Sequence, residues 1–171
     1  MNNYDSLKMK EKKVAVEYLY LDLKTCDRCI GTDAALEEVL EKLIPALSLA
    51  GYTVEYKKTE ITNEALAKQY KFLSSPTIRV NGRDICSAVK ESDCGCCGEI
   101  CEDNVECRVF EYEGKLYEIP PKAMLAEAIL KNIFGKPTEK SYGGYSMPDN
   151  LKVFFEGKNK KRGCSCGPGC C

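Results

Sequence analysis

One stretch near the N-terminus constrains the fold more than any other. Val14 to Leu23 reads Val-Ala-Val-Glu-Tyr-Leu-Tyr-Leu-Asp-Leu, a β-rich run whose near-continuous apolarity suits a central strand buried on both faces. It runs directly into Cys26-Asp27-Arg28-Cys29. Leu36, Val39, Leu40, Leu43 and Leu47 then mark one stripe of a helix that stops at Gly51, with a kink expected at Pro45. A strand that ends on a thiol pair and continues into an amphipathic helix restricts the architecture to a layered α/β domain with chemistry at the strand's end.

The following segments keep the alternation. Thr53–Ile61 predicts a second strand, and Thr62 opens a short helix to about Tyr70. Ser74-Ser75-Pro76 leads into a strand over Thr77–Val80 that ends at the Asn81-Gly82 turn. Cys107–Tyr112 and Lys115–Ile119 predict a hairpin around Glu113-Gly114, and Pro120-Pro121 opens an apolar-faced helix to about residue 134. The fold expected is α/β, with a mixed central sheet flanked by helices. In domain terms, residues 1–13 form an N-terminal extension and 14–135 the domain, with a Cys-rich insertion over about 84–107. Residues 136–171 are expected as a mostly flexible tail with one short amphipathic stretch, Pro148–Phe155, and a Cys-rich end.

The chain has 12 cysteines in 171 residues and no histidine, which excludes Cys-His and Ser-His nucleophile pairs and His-bearing metal sites. Its 25 basic and 26 acidic side chains leave a net charge of −1, which argues against a nucleic-acid partner. No apolar run is long enough for a membrane span. The polar first 13 residues lack a secretory layout, so a cytoplasmic location is expected. There, dense cysteine points to metal binding or catalysis rather than a covalent framework.

Cys26 and Cys29 form a candidate redox dithiol. A helix N-terminus favours a thiolate, so Cys26 is read as the attacking thiol and Cys29 as the resolving one. The same two residues could instead pack in a core or supply half of a zinc site. Gly31-Thr32-Asp33 leaves two helix starts open, one near Cys26 and one capped by Thr32 or Asp33. In the insertion, Cys94, Cys97, Cys101 and Cys107 are candidate ligands of a structural zinc ion, with local disulfides and an iron–sulfur cluster as the competing readings. Cys164, Cys166, Cys170 and Cys171 form a soft-ligand tail suited to Cu(I), Zn(II), Hg(II) or As(III), or an incidental one.

The strand, Cys26-x-x-Cys29, the long helix and Ser75-Pro76-Thr77-Ile78 before Asn81-Gly82 resemble the thioredoxin and glutaredoxin superfamily. Residues about 14–134 more closely resemble an uncharacterised prokaryotic thioredoxin-like family carrying Leu-Asp-Leu-Lys-Thr-Cys-Asp-Arg-Cys-Ile-Gly-Thr and Leu-Ser-Ser-Pro-Thr-Ile-Arg-Val-Asn-Gly. The resemblance implies a thioredoxin-like fold, Cys26 as nucleophile, Cys29 as resolving thiol, and Pro76 as a cis-proline facing them. It also implies that the Ser75 backbone is free to pair with an extended thiol substrate. Thr25 stands where thioredoxins have Trp, and Asp27-Arg28 replaces Gly-Pro, so a general protein-disulfide reductase is disfavoured. The expected function is a thiol–disulfide oxidoreductase that needs no cofactor for its dithiol chemistry. It would act with a protein or small-molecule thiol or disulfide and a thiol reductase, relaying to the insertion's cysteines. The alternative is a thiolate-based metal or metalloid binding or trafficking protein.

Overall fold

A computed structural model describes residues 12–86, 88–136 and 144–163. Strand β1 (Lys12–Tyr20) lies between β2 (Tyr52–Glu60), to which it is parallel, and β3 (Thr77–Val80), to which it is antiparallel. The two-residue strand β4 (Arg83–Asp84) completes a mixed sheet of order β2-β1-β3-β4. Alternation explains why β1 takes the centre. Val14, Val16 and Tyr18 are buried with Ile78 and Val80, under Leu36 and Leu40 of helix α1 (Asp27–Leu49) and Leu125 and Ile129 of helix α4 (Lys122–Phe134). Leu19 and Leu21 join a second cluster with Ile61, Ala67 and Phe72. Ala67 belongs to helix α2 (Glu64–Gln69), whose cap is Asn63, its side chain accepting from Leu66 N at 3.0 Å.

Helix α1 starts at Asp27 and runs through Gly31, with Pro45 inside it. Gly31 is tolerated because a Cβ there would lie 2.2 Å from Ile119 Cδ1. The alternative start at Thr32 or Asp33 is therefore not the one adopted. Instead, Thr32 is buried and Asp33 pairs with Lys58 at 2.8 Å.

The hairpin does not extend the main sheet. Strands β5 (Lys90–Asp93), β6 (Glu106–Tyr112) and β7 (Lys115–Tyr117) form a separate antiparallel sheet, and helix α3 (Gly95–Cys101) connects β5 to β6. The insertion thus has its own secondary structure. It is tied to the main sheet's end through Arg108 N–H, which donates to Ser75 O at 2.7 Å.

Past residue 136, the flexible appendage expected from composition gives way to helix α5 (Asp149–Gly163), which takes in Lys158 to Arg162. Leu151, Phe154 and Phe155, at i, i+3 and i+4, are buried in the same cluster as Leu19 and Phe72. Burying each contributes about 1.5–3 kcal/mol, which offsets the cost of ordering a helix whose other positions are mostly charged. Asn150 adds a staple to β6, donating to Glu106 O at 2.6 Å and accepting from Glu106 N at 3.0 Å.

Gly157 is where α5 meets α3, since a Cβ there would stand 2.3 Å from Cys101 O and 2.5 Å from Cys101 Cβ. Backbone cannot yield to that clash. Gly157→Ala is expected to destabilise by about 1–3 kcal/mol through overpacking, whereas the same change at an exposed helix position stabilises by about 1 kcal/mol. The denaturant midpoint of the variant gives the sign.

Candidate metal centre

Three elements, α1, α3 and β6, bring four thiols together beyond the end of β1. Cys26 is the N-cap of α1, and its Sγ lies 3.5 Å from Cys29 N. Cys94 is the N-cap of α3, anchored by Cys94 N–H to Val105 O at 2.8 Å, and Cys97 follows within the first turn. Cys107 lies in β6, its Sγ 3.4 Å from Cys97 Sγ. The Sγ atoms of Cys26, Cys94, Cys97 and Cys107 all lie within 4.8 Å of one another, and all four residues are buried. A tetrahedral tetrathiolate with Zn–S bonds of about 2.3 Å has S···S edges of about 3.8 Å. A disulfide requires about 2.05 Å, and the eight described cysteines are all free thiols. The donor set therefore fits one thiophilic ion. A two-iron cluster would spread its four sulfurs wider.

The set differs from the one that local spacing suggested. Cys94, Cys97 and Cys107 are together, but the fourth thiol is Cys26. Cys101 sits four residues beyond Cys97, about 6 Å further along the axis; its Sγ faces Gly98 O and Asp103 O at 3.9 and 3.7 Å, on the side packed by α5. Cys29 stays outside the cluster, with Sγ 3.3 Å from Ser75 Oγ. Cys164, Cys166, Cys170 and Cys171 lie outside the described residues.

The thiols strongly polarise one another. Cys26 is held far below the ordinary thiol range, first by the Cys107 thiol and then by those of Cys29, Cys94 and Cys97. The lowering expected there comes mainly from neighbouring thiols rather than from the helix end. Cys94 falls to about 7, again through Cys107 first. Cys107 and Cys97 are pushed up, Cys107 chiefly by Cys26 and Cys97 chiefly by Cys107, and Cys29 is pushed up by Cys26 and by burial. The thiols thus hydrogen-bond one another, an arrangement a divalent cation would replace by ionising all four.

The sequence places the positive charge of Arg28 beside the thiols, but not its buried contacts. Its side chain is buried and donates to Ser92 O and Cys107 O at 3.1 Å, to Asp93 O at 2.5 Å, and to the Glu118 carboxylate. It locks the first turn of α1 to β5 and β6 and places positive charge beside an anionic thiolate set. Glu118 is largely exposed, so the carbonyl contacts carry most of the effect. A lysine cannot reach this many acceptors at once. Arg28→Lys is expected to weaken zinc binding by about 10–100-fold, the usual cost of an outer-shell change, as read by competition with a chromophoric chelator.

The Ser75–Pro76 peptide is cis. Ser75 is buried; its Oγ accepts from Leu21 N at 3.1 Å and its carbonyl accepts from Arg108 N. The backbone expected to await an extended substrate is already paired with β6. Cys26 and Cys29 are both 0% exposed, covered by the insertion and by the cluster that includes Phe154 and Phe155.

No described helix is long and apolar enough to cross a membrane. Comparison with curated proteins finds no match, and comparison with solved structures finds none either. A family model described as a domain of unknown function (DUF2703) matches residues 14–129, the span from β1 into α4 that carries all four clustered thiols, and the chain belongs to that family.

Proposed function

We propose that this protein is a thiolate metal-binding protein whose centre holds one zinc-class ion on Cys26, Cys94, Cys97 and Cys107. The observation that carries this reading is the mutual approach of four buried sulfurs from two distant parts of the chain, with no disulfide among them. A tetrahedral all-sulfur set suits zinc better than hard, oxygen-seeking cations. Three ligands come from the insertion and one from the main domain, so the ion would supply folding free energy by joining the two. Anaerobically purified protein is expected to carry zinc, with one equivalent lost in both Cys26→Ser and Cys94→Ser. Unchanged zinc content in both variants would refute the assignment.

A second reading is that the scaffold is thioredoxin-like and Cys26 and Cys29 form a thiol–disulfide exchange pair, with a thiol or disulfide substrate and a reductase as partners. The β2-β1-β3-β4 order, the position of Cys26 at the N-cap of α1 and the cis Ser75–Pro76 bond beside Cys29 favour it. Complete burial of both sulfurs disfavours it for the closed molecule.

A further inference from the structure

The two readings meet in one residue, because Cys26 belongs to the metal set and to the dithiol. We propose that the metal ion latches the insertion over the Cys26–Cys29 pair, and that its removal releases a thiol–disulfide exchange activity. The inference rests on the metal centre proposed above.

Three observations place a latch here. The insertion supplies Cys94, Cys97 and Cys107, and the main domain supplies Cys26, so one ion bridges the two parts. The same junction is pinned by Arg28 to Ser92 O, Asp93 O and Cys107 O, and by Arg108 N–H to Ser75 O. These polar contacts, unlike a metal–thiolate set, can exchange with water. Finally, Cys29 is buried though it is no member of the four-sulfur set, with its Sγ against Ser75 Oγ. Its cover is therefore packed protein, the cluster it shares with Cys94, Cys97 and Cys107 of the insertion and with Phe154 and Phe155 of α5, and not an ion.

Once uncovered, the pair has an exchange route that balances. The Cys26 thiolate attacks one sulfur of a low-molecular-weight disulfide RS–SR, forming Cys26–S–S–R and expelling RS⁻. Cys29 then attacks the Cys26 sulfur, forming the Cys26–Cys29 disulfide and expelling the second RS⁻, which takes the Cys29 proton. The chain gives up two electrons, and the external disulfide becomes two thiols.

Cys29 provides the test because it reports on the cover without being a ligand. Trypsin cleaves after Lys24, Arg28 and Lys42, so Cys26 and Cys29 fall in separate peptides, 25–28 and 29–42. The full-length chain is treated with iodoacetamide, metal-free and with zinc(II), and alkylation of peptide 29–42 is timed by mass spectrometry. With free zinc at about 100 times its Kd, opening and hence Cys29 alkylation should slow about 100-fold. In Cys94→Ser, which leaves Cys26 and Cys29 intact, zinc should give less than a tenth of that protection. In parallel, metal-free chain should reduce glutathione disulfide and acquire the 25–28 to 29–42 crosslink, while zinc-loaded chain does neither at a comparable rate.

Zinc that binds through Cys26 yet leaves Cys29 alkylation unchanged would overturn the latch and leave the metal centre standing. Zinc loss that opens Cys29 without any crosslink would overturn the exchange activity. Failure to bind zinc, or binding indifferent to Cys26→Ser and Cys94→Ser, would overturn the centre and the latch together.

Discussion

Cys97→Ser is expected to empty the four-sulfur centre and to unfold the insertion well before the main sheet. Cys97 is one of the four clustered thiols, 3.4 Å from Cys107, and is fully buried. A structural zinc ion contributes about 10–16 kcal/mol in small domains that fold around it, so even part of that exceeds any other single contribution here. Losing one thiolate also leaves three buried sulfurs without the cation that justifies their approach. The measurement is hydrogen exchange in the presence of zinc. Amides of β5, α3 and β6 should lose most of their protection in the variant, while those of β1 and β2 keep theirs. Uniform protection across both regions would show that the insertion does not depend on the centre.

The second large effect is expected at Asp84. Arg108 is 1% exposed, and its Nη1 reaches both carboxylate oxygens of Asp84 at 2.8 Å. Its Nε and Nη2 have no hydrogen-bond partner among the described residues. Asp84→Ala therefore strands a buried guanidinium and should cost about 3–5 kcal/mol. Replacing both members by apolar residues of similar size should recover much of that loss, because desolvating the pair is itself expensive. Equilibrium urea unfolding of Asp84→Ala, Arg108→Met and the double variant closes the cycle. Similar midpoints for wild type and Asp84→Ala would mean that the pair contributes little.

The nearby Cys86 thiol is pushed up to about 11, chiefly by burial, and belongs to neither the dithiol nor the metal set.

The alternation of strands and helices was legible because it is written locally. The β-branched run of β1, the α1 stripe and the Asn81-Gly82 turn each carry their signal within a few residues. The separate second sheet was not, since β5 (Lys-Glu-Ser-Asp) is polar and its register comes from pairing with β6, Lys90 with Val109 and Asp93 with Glu106. Helix α5 shows in the sequence only as the amphipathic stretch Pro148–Phe155, because only Leu151, Phe154 and Phe155 speak for it, and their strength depends on a pocket that other elements make.

Spacing reached three members of the four-sulfur cluster, Cys94, Cys97 and Cys107, and not Cys26. Cys94-x-x-Cys97 is a local signal, whereas the approach of Cys26 is a property of tertiary structure. Cys101 has equally plausible spacing, yet the helix carries it one turn past the cluster, onto α5. The charge of Arg28 beside the thiols was legible but its carbonyl contacts were not, and Arg108 left one faint trace: it is a lone charge in the run Cys107-Arg-Val-Phe, where a buried partner is required.

X-ray absorption at the zinc edge, on the full-length zinc-loaded chain and on Cys26→Ser, tests the central claim most directly. Wild type should give four sulfur neighbours at about 2.3 Å, and the variant should lose one sulfur or lose the ion. Identical spectra and equal zinc content in the two proteins would place the metal elsewhere and contradict the account.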